Sequence, residues 1–199
     1  MRTEIAKREV NEDFCYFGLK QEILNKFPTL CSDNEMEVST ISFQVNIDGL
    51  PLFKSSNTQL WPILGLIKQF ENKLQRNREP FVIGLYCGNS KPTDVKKFLE
   101  DFVKEVKELQ LNGLIINNVH YKVELSALVC DTPARAFVKC IKGHSAYHGC
   151  DKCEQHGVYV GRVTFPETGA VLRTDNSFAR MTDRHHHISE SPLINIPIK

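Results

Sequence analysis

Two groups of side chains in this sequence could hold metal. The stretch GHSAYHGCDKCEQHG, Gly143 to Gly157, concentrates His144, His148, Cys150, Cys153 and His156 in one short segment. Cys150 and Cys153 at CxxC spacing present two thiolates in one tight turn, which suits tetrahedral zinc. His144 or His148 supplies a third ligand from the preceding loop. The fourth is left to His156, Cys140 or the triplet His185, His186, His187, provided that the tail folds back. A filled site of this kind contributes on the order of 10 kcal/mol to local folding, so zinc is expected to be structural, with every coordination position closed. The competing reading is a pair of reduced thiols among solvated histidines. A redox CxxC is expected beside a thioredoxin-like βαβ pattern, which is missing.

The second group consists of two acids that end apolar runs, Asp48 in ISFQVNIDG and Asp131 in YKVELSALVCD. If the strands that precede them are neighbours, their carboxylates project from one edge and can share a divalent cation. Oxygen-only ligands suit Mg²⁺ or Mn²⁺, and a pair of such ions activates a nucleophile and stabilises the leaving oxygen of a phosphodiester. The alternative is local: acids after strands form turns, as IDGLP could, or cap the next helix, as Asp131 could before TPARAFV.

Several elements must position these residues. In ISFQVNI strict alternation places Ile41, Phe43, Val45 and Ile47 on one face of a strand. QLWPILGLIKQF and FVIGLYCG follow as two more strands, the first weakened by Pro62, and three strands in succession predict a meander. The period then lengthens: Val95, Phe98, Leu99, Phe102, Val106 and Leu109 line one face of a helix, with Asp94 at its start and Gly113 as its stop. YKVELSALVCD gives a fourth strand, and Pro133 lies in the first turn of a second helix. Upstream, GLKQEILNKF predicts a helix closed by Pro28, and from about residue 143 apolar periodicity is lost. The predicted organisation is a helical arm over residues 1–40, a core over 41–142 and a Cys/His-rich insertion with an irregular tail over 143–199.

Composition bounds the partners. The chain has 199 residues, 41% of them hydrophobic, enough for one substantial core. Its 25 basic and 24 acidic residues give a formal charge of +1, so contact with DNA requires a local patch. The charged N-terminus lacks the apolar centre of a signal peptide and no long apolar run exists, which predicts a soluble intracellular protein without a membrane partner. Seven cysteines, five of them single and beside apolar segments, read as reduced thiols.

The order β-β-β-α-β-α, with acids ending the first and fourth strands, is the α/β arrangement of the ribonuclease-H-like fold. IDGLPLFKSSNTQLWPILG, PFVIGLYCGNSKP, ALVCDTPARAFVKCIKGHSAYHGCDKCEQHGVY and TFPETGAVLRTDNSF, in that order, resemble the catalytic region of eukaryotic cut-and-paste transposases, distantly similar to the CACTA superfamily. The resemblance spans roughly residues 14–199, and CDTPARA and GHSAYHGCDKC are its most specific parts. It implies that Asp48 and Asp131 are the first two acids of a DDE/D metal site. It also implies that Cys150 and Cys153 staple an insertion behind the second acid, that DNA is the substrate, that copies of the chain assemble as a homo-oligomer, and that the protein works in the nucleus or in both nucleus and cytoplasm.

The sequence departs from that pattern at its end. SPLINIPIK comes before the region where the third acid is expected, and Glu154, Glu167, Asp175, Asp183 and Glu190 follow no segment like the helix that carries it. Weak or absent strand cleavage is therefore expected, as is the lack of a DNA-recognition module in the first forty residues. Two alternatives stay open: a non-enzymatic zinc-stabilised module that binds DNA or protein, and another ribonuclease-H-like nuclease whose site one of the nearby acids completes.

Overall fold

The computed structural model describes residues 6–8, 12–30, 39–54, 57–68 and 79–198. They form two compact units, residues 1–130 with 196–199, and residues 131–195. Cys31 lies outside the described residues.

The first unit is built on a mixed sheet flanked by helices. Its elements are β1 (Ala6–Arg8), β2 (Glu12–Tyr16), α1 (Leu19–Leu30), β3 (Thr40–Ile47), β4 (Leu50–Pro51), β5 (Gln59–Ile67), β6 (Phe81–Gly88), α2 (Val95–Asn112), β7 (Leu114–Ile116) and β8 (Val119–Val129). The strand order is β1-β2-β6-β5-β3-β8-β7, with β4 paired to β5. The expected meander is present, because β3, β5 and β6 pair antiparallel in succession. β8 lies parallel to β3, which a crossover through α2 makes feasible.

The alternation in β3 decides its orientation: Ile41, Phe43, Val45 and Ile47 are fully buried. Phe98, Leu99, Phe102, Val106 and Leu109, a stripe at helical spacing, are the buried face of α2, which packs against β8, β6 and α1. Asp94 is its N-cap, accepting from Lys97 N at 3.1 Å, and Gly113 is its C-cap. Pro62 is accommodated inside the sheet, opposite Leu85, next to a register slip in the β5–β6 pairing at Ile63/Leu64.

Three features depart from the expected organisation. Residues 1–40 are not only a helical arm, since β2 extends the sheet beside β6 and Phe14 packs edge-on against Phe98 with ring centroids 5.7 Å apart. α1 continues past Pro28 to Leu30, and its start is fixed by the Glu105 carboxylate, which accepts from Leu19 N at 2.6 Å, Lys20 N at 3.1 Å and the Tyr16 hydroxyl. Burial and the neighbouring Glu105 charge push the Tyr16 hydroxyl far above its ordinary pKa, so it remains a donor. The short strand β7 was not visible in the apolar pattern; Asn117 and Asn118, both in the left-handed region at φ 51° and 63°, turn it tightly into β8.

The second unit begins at Asp131, earlier than the predicted boundary at residue 143, because α3 (Thr132–Val138) belongs with the Cys/His segment. It continues through β9 (Val158–Tyr159) and β10 (Val163–Thr164), a two-stranded antiparallel ribbon, to α4 (Asp175–Ala179) and a 3₁₀ turn at Pro192–Asn195. The tail is thus less irregular than its composition suggests: Thr174 and Ser177 form a reciprocal capping box for α4. Among the described residues, no helix is long and apolar enough to cross a membrane.

Candidate functional site

In the first unit, the parallel pairing of β3 with β8 sets Asn46 opposite Val129, so the two strands leave the sheet at the same edge. The chain runs two residues beyond each partner to Asp48 and Asp131. Asp48 is half-buried, and its Oδ1 accepts from Gly49 N at 2.7 Å. Glycine is required at 49: a Cβ there would stand 2.6 Å from the ring of Trp61, which is buried in the core. Asn46 continues the link between the strands by donating to Val129 O at 3.1 Å.

Asp131 opens the second unit as the N-cap of α3, and its Oδ1 accepts from Ala134 N at 2.7 Å. Of the two local roles that compete with metal binding, the cap at Asp131 is observed, whereas Asp48 only accepts from the amide of its neighbour Gly49 and sits in no turn. Each occupies one carboxylate oxygen.

Within the second unit the CxxC turn is tied to α3. Asp151, between the two cysteines, pairs with Arg135 Nε at 2.9 Å and also with Lys139 Nζ. Arg135, one turn after Asp131, thus faces a carboxylate of its own unit. Lys139 also lies 5.0 Å over the Phe178 ring. Arg173 closes the turn from another side, donating to Cys150 O at 3.0 Å and to Asp183 Oδ2 at 2.7 Å. Gly149 makes room for this geometry, since a Cβ would stand 2.1 Å from Gly143 O.

The thiols of Cys150 and Cys153 lie 3.3 Å apart. Gln155, itself buried, donates from Nε2 to Cys153 Sγ at 3.0 Å and to Glu167 O at 3.2 Å, while its Oε1 accepts from Glu167 N at 3.0 Å. Burial alone would raise the Cys153 pKa, but the Gln155 hydrogen bonds, the Cys150 thiol and the Arg173 charge bring it below the ordinary thiol value.

The histidines divide into two sets. His148 stacks on His185 and meets His156 edge-on, with centroids 4.9 Å apart in each pair, and His156 stacks on Tyr147. Burial, opposed by Asp183, lowers the His148 pKa. His144 is exposed. Of the triplet, only His185 is exposed; His186 and His187 are buried. The tail folds back, with Lys142 N donating to His186 O at 2.9 Å and Ile188 N donating to Cys140 O at 2.8 Å, which carries both rings inward.

His186 donates from Nδ1 to His148 O at 2.7 Å, and its Nε2 is buried without a hydrogen-bond partner, as is His187 Nδ1. A ring held by a carbonyl at one nitrogen and unsatisfied at the other is the arrangement metal-ligating histidines adopt. Burial pushes the pKa of both rings down, so they are neutral and able to donate a lone pair.

Two tetrahedral zinc-bound sulfurs stand about 3.8 Å apart for Zn–S bonds near 2.3 Å, so the thiol pair fits two corners after opening slightly. Among the described residues, no three His, Cys, Asp or Glu side chains converge as a metal-holding group. The residues missed by sequence reasoning are Gln155, Asp151 and Arg173. Only Asp151, by its place inside CDKC, carried a signal.

No protein-family model matches the chain, and no curated protein matches it.

Proposed function

We propose that this chain is a DNA-processing domain of the DDE/D transposase type, built on a ribonuclease-H-like sheet. The observation that carries the reading is the topology: three antiparallel strands, a helix, a strand returning parallel to the first, and a helix, with an acid two residues past each member of the Asn46–Val129 pair. Asp48 and Asp131 are the residues assigned to Mg²⁺ or Mn²⁺, and DNA is the substrate, which places the protein's work in the nucleus. When bound, such ions supply an activated nucleophile and charge neutralisation at the leaving oxygen. Structural zinc is assigned to Cys150 and Cys153.

Asparagine substitution separates metal binding from local structure, because asparagine caps a helix about as well as aspartate but carries no charge. With only two acids in place, strand cleavage by this chain is weak or absent, so the primary readout is Mn²⁺ binding followed by water-proton relaxation. This binding is expected to weaken in both Asp48→Asn and Asp131→Asn, along with any residual Mn²⁺-dependent nicking of supercoiled plasmid. Identical binding and nicking in wild type and both variants would sink the catalytic assignment.

A second reading, a zinc-stabilised module that binds DNA or protein without cleaving it, is favoured by the structural tasks both carboxylates already perform. Metal analysis of the purified protein bears on the zinc in either reading. Near one equivalent is expected, falling in Cys150→Ser.

A further inference from the structure

We propose that Cys150 and Cys153 are a reversible oxidation site, closed to a disulfide by a peroxide-class oxidant. The geometry stands apart from any metal. Two free thiols face each other at 3.3 Å across a two-residue turn, and bond formation requires an approach of about 1.3 Å, to the 2.03–2.05 Å of a disulfide.

Accessibility assigns the order of events. Cys150 is half-buried, whereas Cys153 is 6% exposed and reached by the buried Gln155 amide. The Cys150 thiolate attacks one peroxide oxygen, the O–O bond breaks, and hydroxide leaves, giving Cys150 sulfenic acid. Cys153 then attacks Cys150 Sγ as a thiolate, the S–O bond breaks, and the departing hydroxide takes up a proton. Two thiols and one hydrogen peroxide become one disulfide and two waters.

Gln155 is a positioning residue for the second step. Both ends of its amide are held by Glu167 backbone groups, so one N–H is fixed on Cys153 Sγ, where it stabilises developing thiolate charge. This is a target of oxidation and not an oxidoreductase centre. Closure must reshape the turn that carries Asp151, and Asp151 holds Arg135 and Lys139 of the segment beginning at Asp131.

The sequence provides a direct assay, because trypsin cleaves between the two cysteines at Lys152. Residues 143–152 and 153–162 are separate tryptic peptides, and Cys140 falls in neither. After hydrogen peroxide treatment of the full chain, alkylation and non-reducing digestion, mass spectrometry is expected to find these peptides joined, and dithiothreitol to separate them. Cys153→Ser and Cys150→Ser abolish the link, while Gln155→Ala keeps it but slows closure roughly tenfold. Recovery of both peptides unlinked, at a peroxide dose that oxidises Cys15 or Cys87, overturns the proposal. So does sulfinic acid accumulating on Cys150 without a link, or a Gln155→Ala rate equal to wild type for the positioning role.

Repeating the assay with added Zn²⁺ separates this inference from the zinc assignment. Closure that Zn²⁺ does not slow, in protein that holds no zinc, removes the metal and leaves the oxidation site. Zinc bound near one equivalent, with no closure even after chelation, does the reverse.

Discussion

The two units hold themselves together by different physics. In the first, large apolar side chains do the work: Phe43, Phe102, Leu19, Ile23, Ile63 and Leu125 are among its fully buried residues. In the second, few apolar residues are buried, chiefly Ala134, Val138, Ile141 and Leu193, and the turns are pinned by Arg173–Asp183, by Asp151 with its two cations and by the buried histidines. Burial of apolar area is indifferent to pH, thiol oxidation and metal, whereas each of the polar devices responds to at least one of them. The second unit is therefore where solution conditions can act.

The largest expected effect tests the apolar side. Phe43→Ala should cost about 3–5 kcal/mol, read from denaturant unfolding by Trp61 fluorescence, a probe confined to the first unit because it is the chain's single tryptophan. A loss under about 1 kcal/mol would mean the sheet is not held by this core.

Next comes Arg173→Met. It leaves the poorly exposed Asp183 carboxylate without its partner and removes a donor from Cys150 O, and breaking such a pair costs about 3 kcal/mol. Amide hydrogen exchange should rise across residues 131–195 while the Trp61 transition stays unchanged. A shifted Trp61 midpoint would break the contrast between the units.

The same pair fixes the sign of an acid response. Burial opposes ionisation of Asp183, but Arg173 and the His185 and His186 amides outweigh it and hold the folded pKa below the ordinary aspartate value. In the unfolded chain the carboxyl takes up its proton first. The stabilisation is complete above the ordinary aspartate pKa of about 3.9 and disappears as pH falls through the lower folded value. Exchange in the second unit should therefore accelerate on acidification through that window, and Asp183→Asn should flatten the response.

The smallest effect belongs to Asp151→Asn. Its pairs with Arg135 and Lys139 are partly exposed, so the loss should be about 1 kcal/mol, visible as faster exchange in α3. No change there would show that α3 is held without the CxxC turn.

The limits of sequence reading follow the same division. Alternation in β3 and the stripe on α2 were legible because burial of one face at a fixed period leaves a periodic trace. β7 left none, being three residues long and formed by an asparagine turn. The Asp131 cap was legible from Thr-Pro after it. The burial of His186 was not, because the group that holds its ring inward is the carbonyl of His148, 38 residues away.

By itself, then, the sequence determined the central order β3, β5, β6, α2, β8, α3, the core faces of β3 and α2, the ends of α2 and the two cysteines in one turn, all consequences of neighbours within a few residues. Only the tertiary structure decided that β8 runs parallel beside β3, so that both acids follow strands leaving one edge, and that Asp151, Gln155 and Arg173 surround the thiols. Those outcomes depend on groups far apart along the chain, whose pairing is chosen by packing and charge after the local elements exist.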